Sequence, residues 1–555
     1  MAYQGNQPVI VLKEDTKRNR GRDARRSNMM AGQIVAEVLK STLGPRGMDK
    51  MLVDSLGDIT ITSDGAKVLE EIDVQHPAAK MIIEVAKTQD KEVGDGTTTA
   101  VIFAGELLKK ADELLEQEIH PSIIISGYQK AADKALEVLN KVALPVDLEN
   151  REMLINIAST SMRSKTVSSE REHLAGIVVD AVKQIVEKRG DEVIADVDNV
   201  QIVKKEGKSL KETELIRGII VDKEVVHDGM PKKVKNAKIA LLNAAMEIEK
   251  TEIDAEIRIK TPDGVKAFLD QETEMLKKMV DQVSASGATV LLCQKGIDDM
   301  VQHFLAREGI LAARRLKKSD MEALAKATGA KVVNSVEELT SDDVGYAAAV
   351  EERKIGKDKM IFVEGCKNPK AVSILIRGGT ERIVDEAERN LHDALCVVKD
   401  VVEVPKIVAG GGAPEIEVAR RLRDHAERMV GRERLAVSAF ADAVEVIPLA
   451  LAENSGMDPI DAISELRSRH AKGELWAGVN AYDGKIADME KLEVLEPMVV
   501  KSQAIKSATE ASTMLLKIDD VIASSKSKAP PMPPGGGGEM GGMGGMGGMG
   551  GMPPY

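Results

Sequence analysis

GDGTTTAV, residues 94–101, is the stretch on which the reading of this chain turns. It opens a helical pattern, VIFAGELLKKADELL, so that Thr97, Thr98 and Thr99 fall in a first helical turn with Asp95 at its threshold. The first amides of a helix have no partner inside it and sit at the positive end of its dipole, which favours a phosphate. Glycine lets the backbone approach closely, and the hydroxyls add donors. Asp95 is the odd member, because a bare carboxylate repels phosphate. It is accounted for if it holds a magnesium ion that bridges to the phosphates. The competing reading, Asp95 as a helix N-cap with threonine as filler, explains the aspartate but not three hydroxyls in a row.

Two further glycine-rich segments accompany it. TLGPRG, residues 42–47, follows the helical stretch SNMMAGQIVAEVLKSTL, whose apolar side reads as Met30, Ile34, Val38 and Leu39. Taken alone, it is a helix stop with a turn. AGGGAPEIEVARRL sets Gly410, Gly411 and Gly412 before a helix start, and by itself is one more glycine turn. Asp64 and Gly65 start another helix. A Walker-type loop is missing: Gly207-Lys208-Ser209 resembles its end, but Ile202 stands where the first glycine belongs. There is no H-E-x-x-H and no G-x-S-x-G, and the eight histidines are scattered.

The surrounding chain is long and well stocked for folding. Its 555 residues are 43% hydrophobic and 30% charged, which at roughly 100–200 residues per domain suggests about three to four domains. Aromatics make up only 2%, so the cores must be built from Ala, Val, Ile, Leu and the 26 Met. So few rings cannot furnish a base-stacking surface. With 77 Lys and Arg against 90 Asp and Glu, the net charge of −13 makes nucleic acid and anionic lipid poor partners. The basic cluster Lys13, Lys17, Arg18, Arg20, Arg22, Arg25 and Arg26 is interrupted by Glu14, Asp15 and Asp23, and reads as a solvated face that pairs with a neighbouring acidic chain. Cys293, Cys366 and Cys396 suit a reducing compartment rather than a disulfide framework. No signal architecture and no run of roughly 18 apolar residues is evident, so no membrane is expected and the location expected is cytoplasmic.

Residues 27–140 read as helices with one hairpin around Gly57, and residues 217–370 as alternating strands and helices. Residues 405–523 return to helices, which suggests one helical domain built from both chain ends around an α/β insert. From about Ser524 a Gly/Met-rich tail cannot bury enough surface to offset its ordering entropy.

TLGPRGMDKMLVD, TSDGA, HPAAKM, GDGTTTAV, GGGAPE, LAENSGMDP and QAIKSATEASTMLLKIDD, in this order, resemble the group II chaperonins, the family of the archaeal thermosome and its eukaryotic cytosolic relatives. The similarity spans roughly residues 10 to 525. It implies a multidomain α and α/β chaperonin fold. The equatorial domain would comprise 1–149 and 405–523, and the α/β intermediate hinge domain 150–216 and 371–404. The α/β apical domain would be 217–370 with a helical lid protrusion at about 247–280, and the tail 524–555.

The resemblance also implies roles. Leu43, Gly44 and Pro45 would lie against a nucleotide, Asp95 would be the magnesium ligand, and Gly96, Thr97, Thr98 and Thr99 the phosphate cradle. Asp64 would be a second acid beside the metal and the attacking water. Ser161, Met162, Arg163 and Ser164 would form a nucleotide-sensing loop, with Lys165 sensing the terminal phosphate, and Gly411 and Glu496 would lie around base and ribose. Asp393, in ERNLHDAL, would be the catalytic acid. On periodicity alone it is a solvated carboxylate, because Ile383, Ala387, Leu391, Ala394 and Val398 form an apolar stripe from which it points away. Arg46 stands where relatives commonly carry Lys, which retains charge with different hydrogen-bonding geometry.

DGVKAFLDQETEMLKKMVDQV puts Val265, Phe268, Leu269, Leu276, Met279, Val280 and Val283 on one helical face, packed on its own domain in the C-terminal half. MEIEKTEIDAEIRIKTPDG, with Ile248, Ile253, Ile257 and Ile259 among charges, belongs by resemblance to the built-in lid. The activity implied is ATP hydrolysis to ADP with magnesium, and potassium is admitted as a further cofactor. The implied partners are non-native polypeptides and identical or related subunits in two stacked rings, and a client-delivering co-chaperone is admitted. Two other classes stand beside this one: a small-molecule ATP-dependent transferase or ligase, which needs a second acid–base pocket, and a purely structural ring subunit.

Overall fold

The computed structural model describes residues 16–53, 57–72, 74–163, 170–190, 192–248, 262–366 and 370–524. Ser164 and Lys165, the leading part of the expected lid (249–261) and the tail beyond 524 lie outside the described residues. The chain divides into a small unit made of its two ends, Met1–Ala24 and Asp519–Tyr555, and a large unit, Arg25–Ile518. In the small unit Thr16–Arg20 pairs antiparallel with Asp520–Ser524, Arg18 lying opposite Ile522. The Arg18 Nε donates to Asp520 at 3.0 Å. At least this member of the basic cluster thus finds its acid within its own chain.

The large unit has three principal apolar cores. The first unites helices Pro77–Val93, Thr97–Glu116 and Pro121–Val142 with Ala413–Arg428, Glu433–Val444 and Met498–Lys517. Two of these helices start alike. His76 and His120 each accept from a backbone amide in the first turn, and proline follows where no amide is needed. With few aromatics the core is close-packed alanine and aliphatics around one cluster. Phe440 meets Phe103 edge-on at 5.3 Å and Tyr128 at 5.7 Å, and the Tyr128 hydroxyl donates to the Leu107 carbonyl at 2.9 Å. Phe440→Ala, at a fully buried position, is therefore expected to cost about 3–5 kcal/mol, read as a lowered denaturation midpoint. A loss under about 1 kcal/mol would mean that this junction between the two chain ends carries little of the stability.

Three expectations are corrected here. Helix Gly21–Lys40 buries Met29, Val35, Ala36 and Leu39, whereas Met30 and Ile34 are exposed, so the inward stripe is rotated from the one expected. The stretch Glu433–Asn454 is long and apolar enough to cross a membrane by composition, contrary to the expectation that no such run exists. It forms two helices, Glu433–Val444 and Val446–Asn454, and is 78% buried in the protein interior. The segment 405–523 is not helical throughout: Lys406–Ala409 pairs with Leu495–Pro497, and Ala477–Asn480 with Lys485–Asp488.

The second core surrounds a sheet in the order Leu311–Ala313, Val290–Cys293, Lys233–Leu242, Gly345–Ile355, Asp358–Glu364, Gly218–Val221, with Val332–Val333 beside Lys233–Leu242. Helix Pro262–Ala285 joins it only through its C-terminal half, where Leu276, Val280 and Val283 are buried. Val265, Phe268 and Leu269 are 45%, 36% and 55% exposed, so the expected apolar face is a packing face over half its length. The third core lies between the parallel pair Val200–Glu206 and Val372–Gly378 and helices Arg151–Ser161, Arg171–Ile185 and Glu381–Glu403.

Candidate functional site

Asp95 sits between two glycines in the left-handed conformation, Gly94 (φ 66°) and Gly96 (φ 76°). Gly94 closes helix Pro77–Val93, and Gly96 is the N-cap of Thr97–Glu116 with no side-chain cap hydrogen bond. This overturns the reading of Asp95 as N-cap: its carboxylate accepts from the Gly96 amide at 2.7 Å instead. Both glycines are required by φ and by crowding. A Cβ on Gly94 would overlap the Cys396 side chain, and one on Gly96 would lie 2.8 Å from Val500 Cγ1. The buried Gln89 amide fixes the loop from behind, donating to the Asp95 carbonyl at 2.9 Å and to the Val500 carbonyl at 3.1 Å.

This uncapped helix start opens into a cavity of about 410 Å³. Of the residues expected at the site, Leu43, Gly44, Pro45, Asp95, Gly96, Thr99, Ser161, Arg163, Gly411 and Glu496 line it. Apolar side chains such as Ile157, Ile447, Met489 and Leu495 supply much of the remaining wall. Gly44 (φ 83°) is both the turn after a helix and a wall of the cavity, so the two readings of TLGPRG hold together. Asn454 steadies that turn, donating to the Lys40 carbonyl at 2.9 Å and the Leu43 carbonyl at 2.8 Å. Gly411 and Gly412, both left-handed, lead into helix Ala413–Arg428, a second helix start without a side-chain cap.

Other expected residues are placed differently. Thr97, which is buried, and Met162, the fully buried C-cap of helix Arg151–Ser161, are not among the residues that line the cavity. Thr98 packs over Gly65, where any Cβ would overlap its hydroxyl. Asp64 and Asp393 share a separate cavity of about 340 Å³ with Lys87, Asp90 and His392. Asp64 accepts from the Ala66 amide at 3.0 Å and the Lys67 amide at 3.3 Å, capping helix Gly65–Glu71. Asp393 is half-buried, which corrects the reading of it as a solvated carboxylate. The helix that carries it, Glu381–Glu403, presses Cys396 against Gly94 and places Val397 on the first cavity's wall. One helix thus borders both cavities.

Several groups at the site escaped sequence reasoning. Asn480, Tyr482 and Asp483 come from the turn of the hairpin Ala477–Asn480/Lys485–Asp488, with Asn480 Nδ2 donating to Asp483 at 2.9 Å. NAYDG between two short apolar runs was a legible hairpin signal. Arg46 donates to the Tyr482 carbonyl at 3.3 Å, and the Tyr482 hydroxyl to the Arg163 carbonyl at 3.1 Å. Lys501 joins Glu496 and Glu415 in a buried cluster that no periodicity reveals. Burial raises the Glu496 carboxyl above the usual carboxylate range, although Lys501 pulls the other way. Asp400, buried with one oxygen unpartnered, is pushed up to about 7 by burial against the pull of Lys399, with Glu403 and then Asp95 adding repulsion.

Residues 35–526 match the profile of the TCP-1/cpn60 chaperonin family. The chain is 58% identical over 533 residues to thermosome subunit alpha of Archaeoglobus fulgidus, covering 96% of this chain and 98% of the relative. It is 59% identical over 526 residues to thermosome subunit beta of Thermococcus kodakarensis, covering 95% and 96%. It is 56% identical over 524 residues to a thermosome subunit of Methanopyrus kandleri, covering 94% and 96%.

Proposed function

Because the chain belongs to the TCP-1/cpn60 chaperonin family, we propose that it is an ATP-hydrolysing subunit of a double-ring chaperonin that encloses non-native polypeptides under a built-in lid. The observation that carries the ATP reading is the uncapped start of helix Thr97–Glu116, opening into a cavity with apolar walls. Free amides and the helix dipole suit the phosphates, and apolar walls suit a base. Leu43, Gly44 and Pro45 border the nucleotide, and Glu496 faces its sugar. Asp95 is the residue that would hold magnesium. Among the described residues no group of three or more His, Cys, Asp or Glu side chains is arranged to hold a metal ion by itself. That suits an ion bound through one carboxylate and completed by phosphate oxygens and water. When bound, such an ion neutralises charge on the phosphates. Asp393, supported by Asp64, orients or deprotonates the attacking water. Hydrolysis shifts a population between open and closed rings.

For the chaperone reading, the exposed Val265, Phe268 and Leu269 offer an apolar surface within the segment assigned to the lid. The three principal cores support a division into equatorial, intermediate and apical parts, although the third core also draws on Val146, Ile407 and Leu495 from the segments assigned as equatorial. An ATPase assay together with particle mass in solution tests the proposal, and a monomer without ATPase activity would sink it. Asp95→Ala is expected to weaken binding of magnesium–ATP by about 10-fold or more, because it removes a metal ligand. Binding measured with and without magnesium checks this: equal losses in both would take the metal role from Asp95.

A further inference from the structure

Lys501 lies in the first turn of helix Met498–Lys517, with its side chain about nine-tenths buried. A cation there opposes the helix dipole, and Pro497 supplies no side-chain cap. Local helix chemistry therefore does not explain it. Its ammonium is 2.6 Å from Glu496 Oε2 and 3.0 Å from Glu415 Oε1. Those partners belong to strand Leu495–Pro497 and to the first turn of helix Ala413–Arg428.

We infer that Lys501 is a positioning residue that holds the Glu496 carboxylate in place for the sugar hydroxyls of the nucleotide. The inference rests on the reading of this cavity as an ATP site. The two acids are not equivalent. Glu415 leaves its second oxygen buried without a hydrogen-bond partner, whereas Glu496 lines the cavity. The Glu496 Oε2 is held by Lys501, and Oε1 stands in space that the missing side chain of Gly410 leaves open. Glu415 thus acts as the buried counter-charge and Glu496 as the ligand. Lys501 attracts the Glu496 carboxylate, whereas the charges of Glu415 and Asp95 repel it. The device also reaches the phosphate end of the cavity. Val500, next to Lys501, accepts from the Gln89 amide that holds the Asp95 carbonyl.

Lys501→Met alone leaves the buried Glu415 and the partly exposed Glu496 without their cation and endangers folding, so the test uses pairs. Lys501→Met/Glu415→Leu removes both charges, and Lys501→Gln/Glu415→Gln removes them while keeping polar volume. Steady-state hydrolysis is measured with ATP and with 2′-deoxy-ATP. The full-length parent is expected to prefer ATP by about tenfold in KM, the worth of one charged hydrogen bond. In whichever pair folds, KM for ATP rises about tenfold, kcat stays within about threefold, and the preference over 2′-deoxy-ATP falls to about one. Lys501→Arg, which restores a cation, retains the preference. A preference that survives in a folded pair variant overturns the inference and leaves Lys501 a structural ion-pair member. A parent that hydrolyses both nucleotides equally well also overturns it. A parent that hydrolyses neither overturns the ATP reading itself.

Discussion

Asp393→Ala lowers ATP hydrolysis by about 10²–10⁴-fold and leaves ATP binding nearly intact, the usual contribution of a positioned acid or base. The expectation comes from placement. Asp393 is half-buried and lines a cavity with Asp64, while its helix reaches the other cavity through Val397. Removing it takes nothing from the wall of the cavity proposed to hold the nucleotide. Asp64 is the less interpretable target, because its carboxylate also caps helix Gly65–Glu71. Losing that cap costs about 0.5–2 kcal/mol of stability whatever its chemistry. Single-turnover hydrolysis and equilibrium nucleotide binding separate the two effects. A rate within a few-fold of the parent would retire Asp393 from this role, and a parallel loss of binding would make it a ligand rather than a water activator.

Replacing residues 250–271 with a short Gly/Ser linker abolishes enclosure while sparing hydrolysis. The boundary follows from the helix Pro262–Ala285. Its inner half is anchored by Leu276, Val280 and Val283, whereas Val265, Phe268 and Leu269 face outward. Residues 262–271 lie before those anchors with mostly exposed side chains, and closure entropy changes slowly with loop length, so the subunit is expected still to fold and assemble. The residues assigned to the nucleotide lie in other parts of the chain. In ATP, the cavity of the deletant should stay open to protease, and clients that need confinement should not emerge folded. A deletant ring that protects an encapsulated client as well as the parent would end the built-in-lid reading.

Much of this was legible because glycine, proline and threonine carry local meaning. GDGTTTAV announced a helix start, and the left-handed Gly96 supplies the reason no side chain caps it. The strands of the α/β insert read as short apolar runs, but Gly345–Ile355 did not, since most of its length is small or charged and only its pairing with Lys233–Leu242 and Asp358–Glu364 makes it a strand. The inward face of helix Gly21–Lys40 was misjudged because apolar residues occur on two sides of it. Asp393 was unreadable in a different way. Periodicity shows which way a side chain leaves its helix, not that helices Gly65–Glu71 and Pro77–Val93 stand across from it. The Lys501 cluster unites residues some 80 positions apart, a distance over which no local pattern speaks.

The union of both chain ends in one helical core has a consequence for synthesis on the ribosome. Helices Thr97–Glu116 and Pro121–Val142 leave the exit tunnel long before Glu433–Val444 and Met498–Lys517 exist to cover them. At roughly 5–20 residues per second, the apolar faces around Phe103 and Tyr128 wait about 20–80 s for Phe440 and the last helix. The α/β insert, whose core draws on residues 219–371 only, is complete well within that interval. The nascent chain thus matures from its middle outward, and the part proposed to bind ATP is the last to close.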